Sequence, residues 1–410
     1  MHRKFTLLVF ALVVALGVSA AAGAASGGST SLPLVQKGTL GTPRFAEGSA
    51  VSPFGTSNTI PYWSSSFTDP TNGVTYPFTM VGTNPAASAT KTVVTNEIIP
   101  LKIVYSNPFT ISSDGTSRVP AVLASPVFKT SNYVVSNDNG QQYGSAFMRS
   151  QFNTFGSYGV DLGTPTVLPT QTINVPSNQG QALFRTGDGS ILGVVQVQWF
   201  SNQLQQLMGQ LHIDPKSLPI FLVDNTFLYD GKDWQAPGAC CILGYHGAGH
   251  PEGNGAGSTS GNGNQAVQTF LFASWMSPGT FGGGYLCNST FTHCGDESTF
   301  PGADNVLSDI HALSHEVAEW LDDPFTNNWV QPWAVPTAQQ YGCTNILETG
   351  DPVVGIGWEQ PVSGVTYHPE DEVFKSWFAR DRPSVAKNGN YTMMGPYNPF
   401  GFSNYPAPTC

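Results

Sequence analysis

Charge is what this chain of 410 residues has least of. Asp, Glu, Lys and Arg make up 10% of it, far below the usual quarter of a globular protein. Ser, Thr, Asn, Gln, Gly and Pro take their place, which gives a surface that is polar but uncharged. Positive charge is the scarcer sign: 16 Lys and Arg stand against 27 Asp and Glu, a net charge of -11. No Lys/Arg run occurs, so nothing here would neutralise phosphates, and this argues against nucleic acid as a partner. Beyond the N terminus no stretch is apolar enough to span a bilayer, so no transmembrane anchor is expected in the mature chain. Cysteines are few, and none form a C-x-x-C pair. That argues against a cysteine metal cluster.

The apolar run that does exist is at the start. His2, Arg3 and Lys4 precede Phe5–Val18, and small residues follow to Ala25. Residues 1–25 read as a secretory signal, with cleavage near Ala20 or Ala24, and the mature protein is expected to be secreted or extracytoplasmic. The six cysteines then read as disulfides. Cys287 and Cys294 suit a small closed loop, and adjacent Cys240 and Cys241 would each reach Cys343 or Cys410.

The length allows two sizeable cores. Residues 26–58 are rich in Gly, Ser and Pro and read as a flexible lead-in. Residues 59–185 are β-rich, with Thr92–Thr95, Ile98–Tyr105 and Asn132–Val135 as strands and Tyr143–Phe152 as a short helix. That region could be a separate domain, a propeptide or extra strands on one sheet. From residue 186 the order changes. Ile191–Trp199 is a strand, Phe200, Leu204, Leu207 and Leu211 mark a helix, and Leu218–Val223, Ala239–Tyr245 and Gln268–Trp275 are apolar strands. The fold class is therefore α+β, with residues 186–410 as the functional unit. The Gly-rich loop 247–263 lacks the Lys-Ser/Thr of a phosphate cradle. His246 and His250 beside it read as structural or solvent-facing. A helix over Asp371–Arg380 is expected near the end.

The chemistry concentrates in His311-Ala-Leu-Ser-His315-Glu316-Val-Ala-Glu319-Trp-Leu-Asp-Asp323-Pro324. Val306, Ile310, Leu313, Val317 and Leu321 recur at helical spacing and should face a core. Ser308, His311, His315, Glu319 and Asp322 recur on the opposite, water-facing side. Asp304 or Asn305 can cap the start, and Pro324 stops the end. His315 and Glu319 stand one turn apart, so both can reach one point above the helix. This is the zinc-peptidase helix H-E-x-x-H with glutamate in the second ligand position. Zinc accepts imidazole nitrogen and carboxylate oxygen, and a catalytic site needs three protein ligands. Glu316 lies about 100° around the helix from His315, so it is placed for the proton of a water rather than for the metal. The third ligand must come from downstream. Glu348 is the first choice, Asp351 the second and His311 the third.

Residues 311–351 resemble the zincin metallopeptidases in their glutamate-ligand branch, through His315, Glu316 and Glu348. The pattern His315-Glu316-x-Ala318-Glu319, Asp323-Pro324, Asn327, Trp329 and Glu348-x-x-Asp351 is also similar to extracellular EXORDIUM-like, or phosphate-induced, proteins. The resemblance covers about a tenth of the chain. It implies a zincin-like mixed sheet with an active-site helix, preceded by the β-rich N-terminal region. The function expected is a secreted zinc hydrolase of peptides or proteins, with Glu316 as catalytic base and Zn2+ held by His315, Glu319 and Glu348. A peptide would lie along the edge strand Ala239–Tyr245. The alternative is a non-catalytic secreted or cell-wall-associated binding protein on the same fold.

Overall fold

The structure is a computed structural model that describes residues 58–106, 110–133, 138–153, 156–185, 191–234, 236, 239–249, 266–277, 285–286, 308–334, 343–353, 357–395 and 410. The expected signal segment, nearly all of the lead-in, most of the Gly-rich loop with His250, the Cys287–Cys294 loop, and Asp304, Asn305 and Val306 lie outside the described residues.

Strands dominate, and the fold is mixed α+β. The main sheet is built on Lys91–Tyr105, one continuous strand where the sequence suggested two. Ser217–Asp224 runs parallel to it, and Gln268–Trp275 runs parallel to Ser217–Asp224. Gly244–Gly249 ends the series, antiparallel to Gln268–Trp275. Along its other side Lys91–Tyr105 pairs with Gly159–Leu162, Thr166–Val167 and Gln171–Val175, while Ile111–Asp114 pairs with its residues 102–105 opposite Gln171–Val175. Strands from before and after residue 186 thus bond directly, as extra strands on one sheet.

Both faces of this sheet are buried, which is why its strands read as unbroken apolar runs. Ile98, Ile220, Leu222, Leu271 and Ala273 point into one core. Their neighbours Ile99, Phe221, Val223, Phe270 and Phe272 point into the other. Phe200, Leu204 and Met208 of the helix Val197–Leu211 fill the second core. The first is filled by the helices Tyr143–Gln151 and His311–Asp322.

His311–Asp322 presents Leu313, Val317 and Leu321 to the core as the spacing predicts. Trp320 Nε1 donates to Thr269 Oγ1 at 3.0 Å and fixes the helix on its strand. The helix starts with Ile310 as N-cap, which makes no side-chain cap hydrogen bond. The expected water-facing side is a second correction. All 12 helix residues are buried, the polar stripe included. Residues 346–353 and 370–372, buried themselves, cross over that stripe.

Three further expectations change. Ala239–Tyr245 is not one strand: Cys240–Ile242 pairs with Thr226–Tyr229 in a second sheet, and Gly244–Gly249 belongs to the main one. Gly244–Gly249 is buried along its whole length, which removes it as an open edge for a substrate strand. The helix near the end is only Lys375–Phe378. Cys343 and Cys410 are joined in a disulfide, so neither is left for Cys240 or Cys241. Among the described residues no helix is long and apolar enough to cross a membrane.

The exit of the site helix is tied to the N-terminal hairpin Tyr62–Thr68/Thr75–Val81 by one side chain. Asn328 Nδ2 donates to Thr79 O at 2.7 Å and to Asp322 O at 2.5 Å, while its Oδ1 accepts from Thr79 N at 2.8 Å. Asn328→Ala leaves these buried backbone groups unpaired, at about 1–3 kcal/mol each. Its unfolding free energy in urea, followed by tryptophan fluorescence, should fall by roughly 3 kcal/mol or more. A loss under about 0.5 kcal/mol, the scale of an ordinary surface change, would show that the tie does not matter.

Candidate metal centre

The buried polar stripe of His311–Asp322 meets side chains from three other places. His246 comes from the strand Gly244–Gly249. Glu348 and Asp351 come from the segment after the strand Cys343–Ile346. Glu370 comes from the stretch before Lys375–Phe378. His246, His315, Glu316, Glu319 and Glu370 are all 0% exposed, and Glu348 and Asp351 are 3% and 2% exposed. No part of this centre is a solvated helix face.

The order of contacts starts at His311. Its Nε2 lies 2.9 Å from Glu370 Oε2, and the same oxygen lies 2.9 Å from His315 Nδ1. Ser314 holds Glu370 there, since its hydroxyl accepts from Glu370 N at 2.9 Å and donates to His311 O. A carboxylate only accepts, so His315 Nδ1 carries a proton and Nε2 is the nitrogen turned inward; burial opposes charge on the ring, but Glu319 and Glu370 outweigh it and raise its pKa. That Nε2 is 3.0 Å from Glu319 Oε1, yet the contact lacks hydrogen-bond alignment and Nε2 has no other partner. Asp351 Oδ1, 4.0 Å from the same nitrogen, is also without a hydrogen-bond partner. A carboxylate holding the far nitrogen of a histidine is the usual way to orient a metal-ligating imidazole.

Local backbone brings these groups within reach. Gly350 crosses the imidazole so closely that a Cβ on it would lie 2.2 Å from His315 Nδ1. Gly350 N also donates to Glu319 Oε1 at 3.2 Å. Gly244 passes Glu316 in the same way, with a would-be Cβ 2.7 Å from Glu316 Cγ. A short buried helical turn, Asp351–Val353, follows directly.

The expected ligands are sorted into two groups. His315, Glu319 and Asp351 present ligand atoms within 4.8 Å of one another. His246, Glu319 and Glu348 do the same. Asp351, the second choice by sequence, thus stands with His315, and Glu348, the first choice, stands with His246. His311, the third choice, touches Glu370 instead.

The electrostatics are unusual for a protein interior. Among the described residues the ion pairs of Glu316, Glu319 and Asp351 are with His246 and His315. Burial pushes the Glu348 carboxyl well above the usual carboxylate range, and the neighbouring Glu319 and Asp351 push it further. Burial and Glu319 do the same to Asp351, against the pull of His315. Burial raises Glu316 to about 7, against a hydrogen bond from His246. Burial opposes the charge on Glu319 too, but His315 and His246 outweigh it and lower the pKa. Carboxylates gathered this way need protons or cations between them.

Two members were missed by sequence reasoning. His246 was set aside as a lone histidine, although the small residues of Gly244-Tyr-His246-Gly-Ala-Gly249 leave room for a helix to press on it. Glu370 was not considered. Its signal was the run Glu370-Asp371-Glu372 beside Val373 and Phe374, three acids in a chain where charged residues make up 10%. No known protein family, characterised protein or solved structure matches the chain.

Gly350→Ala should displace His315 from Glu370 and Glu319. Zinc affinity, measured by competition with a chromogenic chelator, should fall about 10–100-fold, the usual effect of disturbing an outer-shell contact. Unchanged affinity would remove His315 from the centre. A second prediction concerns pH. Burial raises Asp322 to about 8, partly offset by the hydrogen bond that Gln151 Nε2 donates to its Oδ1. An unfolded Asp titrates near 3.9. Between these values the folded chain holds a proton that the unfolded chain releases. This contribution to stability is complete below about pH 4 and is lost as pH rises through about 8. Asp322→Asn keeps the acceptor for Gln151 and abolishes the titration. In chelator-treated protein, the stability of the variant relative to wild type should climb from about pH 5 to 8, by at most about 1.4 kcal/mol per pH unit. A difference independent of pH would mean that Asp322 is ionised throughout.

Proposed function

We propose that this protein is a secreted, zinc-dependent hydrolase of peptides or proteins, built on a zincin-like pairing of helix and mixed sheet. The observation that carries this reading is the trio His315, Glu319 and Asp351. Its ligand atoms lie within 4.8 Å of one another, and His315 Nε2 and Asp351 Oδ1 have no hydrogen-bond partner. Two ligands of one tetrahedral zinc, each about 2.0–2.1 Å from it, lie roughly 3.3 Å apart. The 3.0 Å between His315 Nε2 and Glu319 Oε1 suits that spacing. One imidazole and two carboxylates are an acceptable catalytic zinc set, so the residues present fit the ion.

When bound, zinc would lower the pKa of a coordinated water toward neutrality and polarise a substrate carbonyl. The chain's own residues do the rest. Glu370 holds the proton on His315 Nδ1 and so keeps Nε2 available. Glu316 stands outside the trio, 4.0 Å from His315 Nε2, with its Oε1 unpartnered. Its carboxyl, raised to about 7, is matched to accepting a proton near neutral pH. Closing the site from bulk water strengthens each of these interactions. The low-charge composition, the expected N-terminal signal and the Cys343–Cys410 disulfide support an extracytoplasmic setting.

A second reading has one observation in its favour, the near-complete burial of every member of the centre. A structural ion in a secreted or wall-associated binding protein would be buried like this. The two readings separate on Glu316→Gln, which keeps size but cannot accept the proton. As a hydrolase the variant should keep its zinc and its folding while cleavage of a broad peptide mixture falls by about 10²–10⁴-fold. Glu319→Gln should lose zinc first, because a neutral amide is a poor ligand. Wild type that binds zinc but cleaves nothing would leave the structural ion as the correct reading.

A further inference from the structure

We propose that the centre holds two divalent cations, the second bound by His246, Glu319 and Glu348, with Glu319 bridging the pair. This rests on the reading of His315, Glu319 and Asp351 as the first cation's ligands. The second group has its own orphaned atoms. Both carboxylate oxygens of Glu348 and Oε2 of Glu319 are buried without a hydrogen-bond partner.

The protonation of His246 carries the argument further. Its Nε2 lies 3.1 Å from the carbonyl oxygen of Asp323, which can only accept. Nε2 therefore bears the proton, and Nδ1 faces Glu316 Oε2 at 3.4 Å and Glu319 Oε2 at 3.6 Å. The 3.4 Å contact to Glu316 is a long hydrogen bond, and the 3.6 Å to Glu319 is close to the roughly 3.3 Å between two ligands of one ion, so a cation there would take the place of the Nδ1 proton.

Glu319 is built to serve both groups. Its Oε1 lies 3.0 Å from His315 Nε2 and its Oε2 lies 3.6 Å from His246 Nδ1. One carboxylate whose oxygens face different imidazoles is a bridge, and paired ions in hydrolytic sites sit about 3.5–4 Å apart. A single divalent ion at His315 would leave only a proton between Glu348 and the neighbouring Glu319. A second ion occupies that place.

The test is metal stoichiometry of the secreted chain. The protein is loaded with zinc and desalted, and zinc per chain is counted by plasma mass spectrometry, with circular dichroism as the check on folding. Wild type should carry two zinc ions. Glu348→Gln and His246→Gln should each carry one, Asp351→Asn one, and Glu319→Gln fewer than one. One zinc in wild type that survives in both Glu348→Gln and His246→Gln would overturn the second site and leave the single-ion reading intact. No zinc in wild type would overturn both. Should the variants misfold, wild type loaded with Mn2+ decides by electron paramagnetic resonance. An exchange-coupled pair supports the bridge, and the six-line spectrum of one isolated ion per chain refutes it.

Discussion

Everything around the site helix answers to one constraint: carboxylates packed against carboxylates out of reach of water. Glu316, Glu319, Glu348 and Asp351 converge at 3% exposure or less. An ionised carboxylate left alone in such a place costs several kcal/mol even after relaxation. No hydrophobic gain from the surrounding core makes that arrangement sensible by itself. It becomes sensible when a cation is part of the fold. The same charges that would push the empty protein apart then supply most of the affinity, and folding and binding become one equilibrium.

The scaffold reads as a means of meeting that constraint. Polar residues that must converge from distant parts of a chain need stiff supports. The strands beneath the helix are apolar on both faces, so the sheet is locked between two cores. The helix is fastened to it at Trp320 and to the hairpin through Asn328. The glycines at 244 and 350 let backbone pass where any side chain would collide with Glu316 or His315. Ser314 holds Glu370, and Glu370 holds His315. Each contact sets the next, so His315 is positioned by groups that are not themselves among the proposed ligands.

How much of this could be read from sequence depended on range. The helix, its apolar face and the His315–Glu319 pair were legible, because they rest on spacing within one element. Leu218–Val223 and Gln268–Trp275 were legible as strands, because burial on both faces leaves an unbroken apolar run. The exposure of the polar stripe was misread. Periodicity separates two faces of a helix but does not say that the polar one meets water. Ala239–Tyr245 looked like one strand because hydropathy carries no mark of a change of sheet, although Gly244 stands at that change. The split of Glu348 and Asp351 between the two groups depends on where a turn of three residues points, and that depends on what it packs against. Glu370 and His246 belong to the same class, since each joins the centre only through long-range packing.

The glutamate at position 319 is where sequence and geometry converge. Judged against H-E-x-x-H, it is a weakened ligand, since imidazole would bind one zinc at least as well. That judgement assumes one ion. An imidazole on this helix has a single free lone pair to offer once its other nitrogen is held, and it can serve one neighbour. Glu319 has two oxygens, one beside His315 and Gly350 and the other beside His246. A histidine in its place would satisfy the His315 side and abandon the His246 side. Glu348 would then face an imidazole edge instead of the proposed shared cation. The departure from the familiar motif is therefore what the proposed two-ion centre would require, and His246, which the motif does not mention, is the residue that would make the second side.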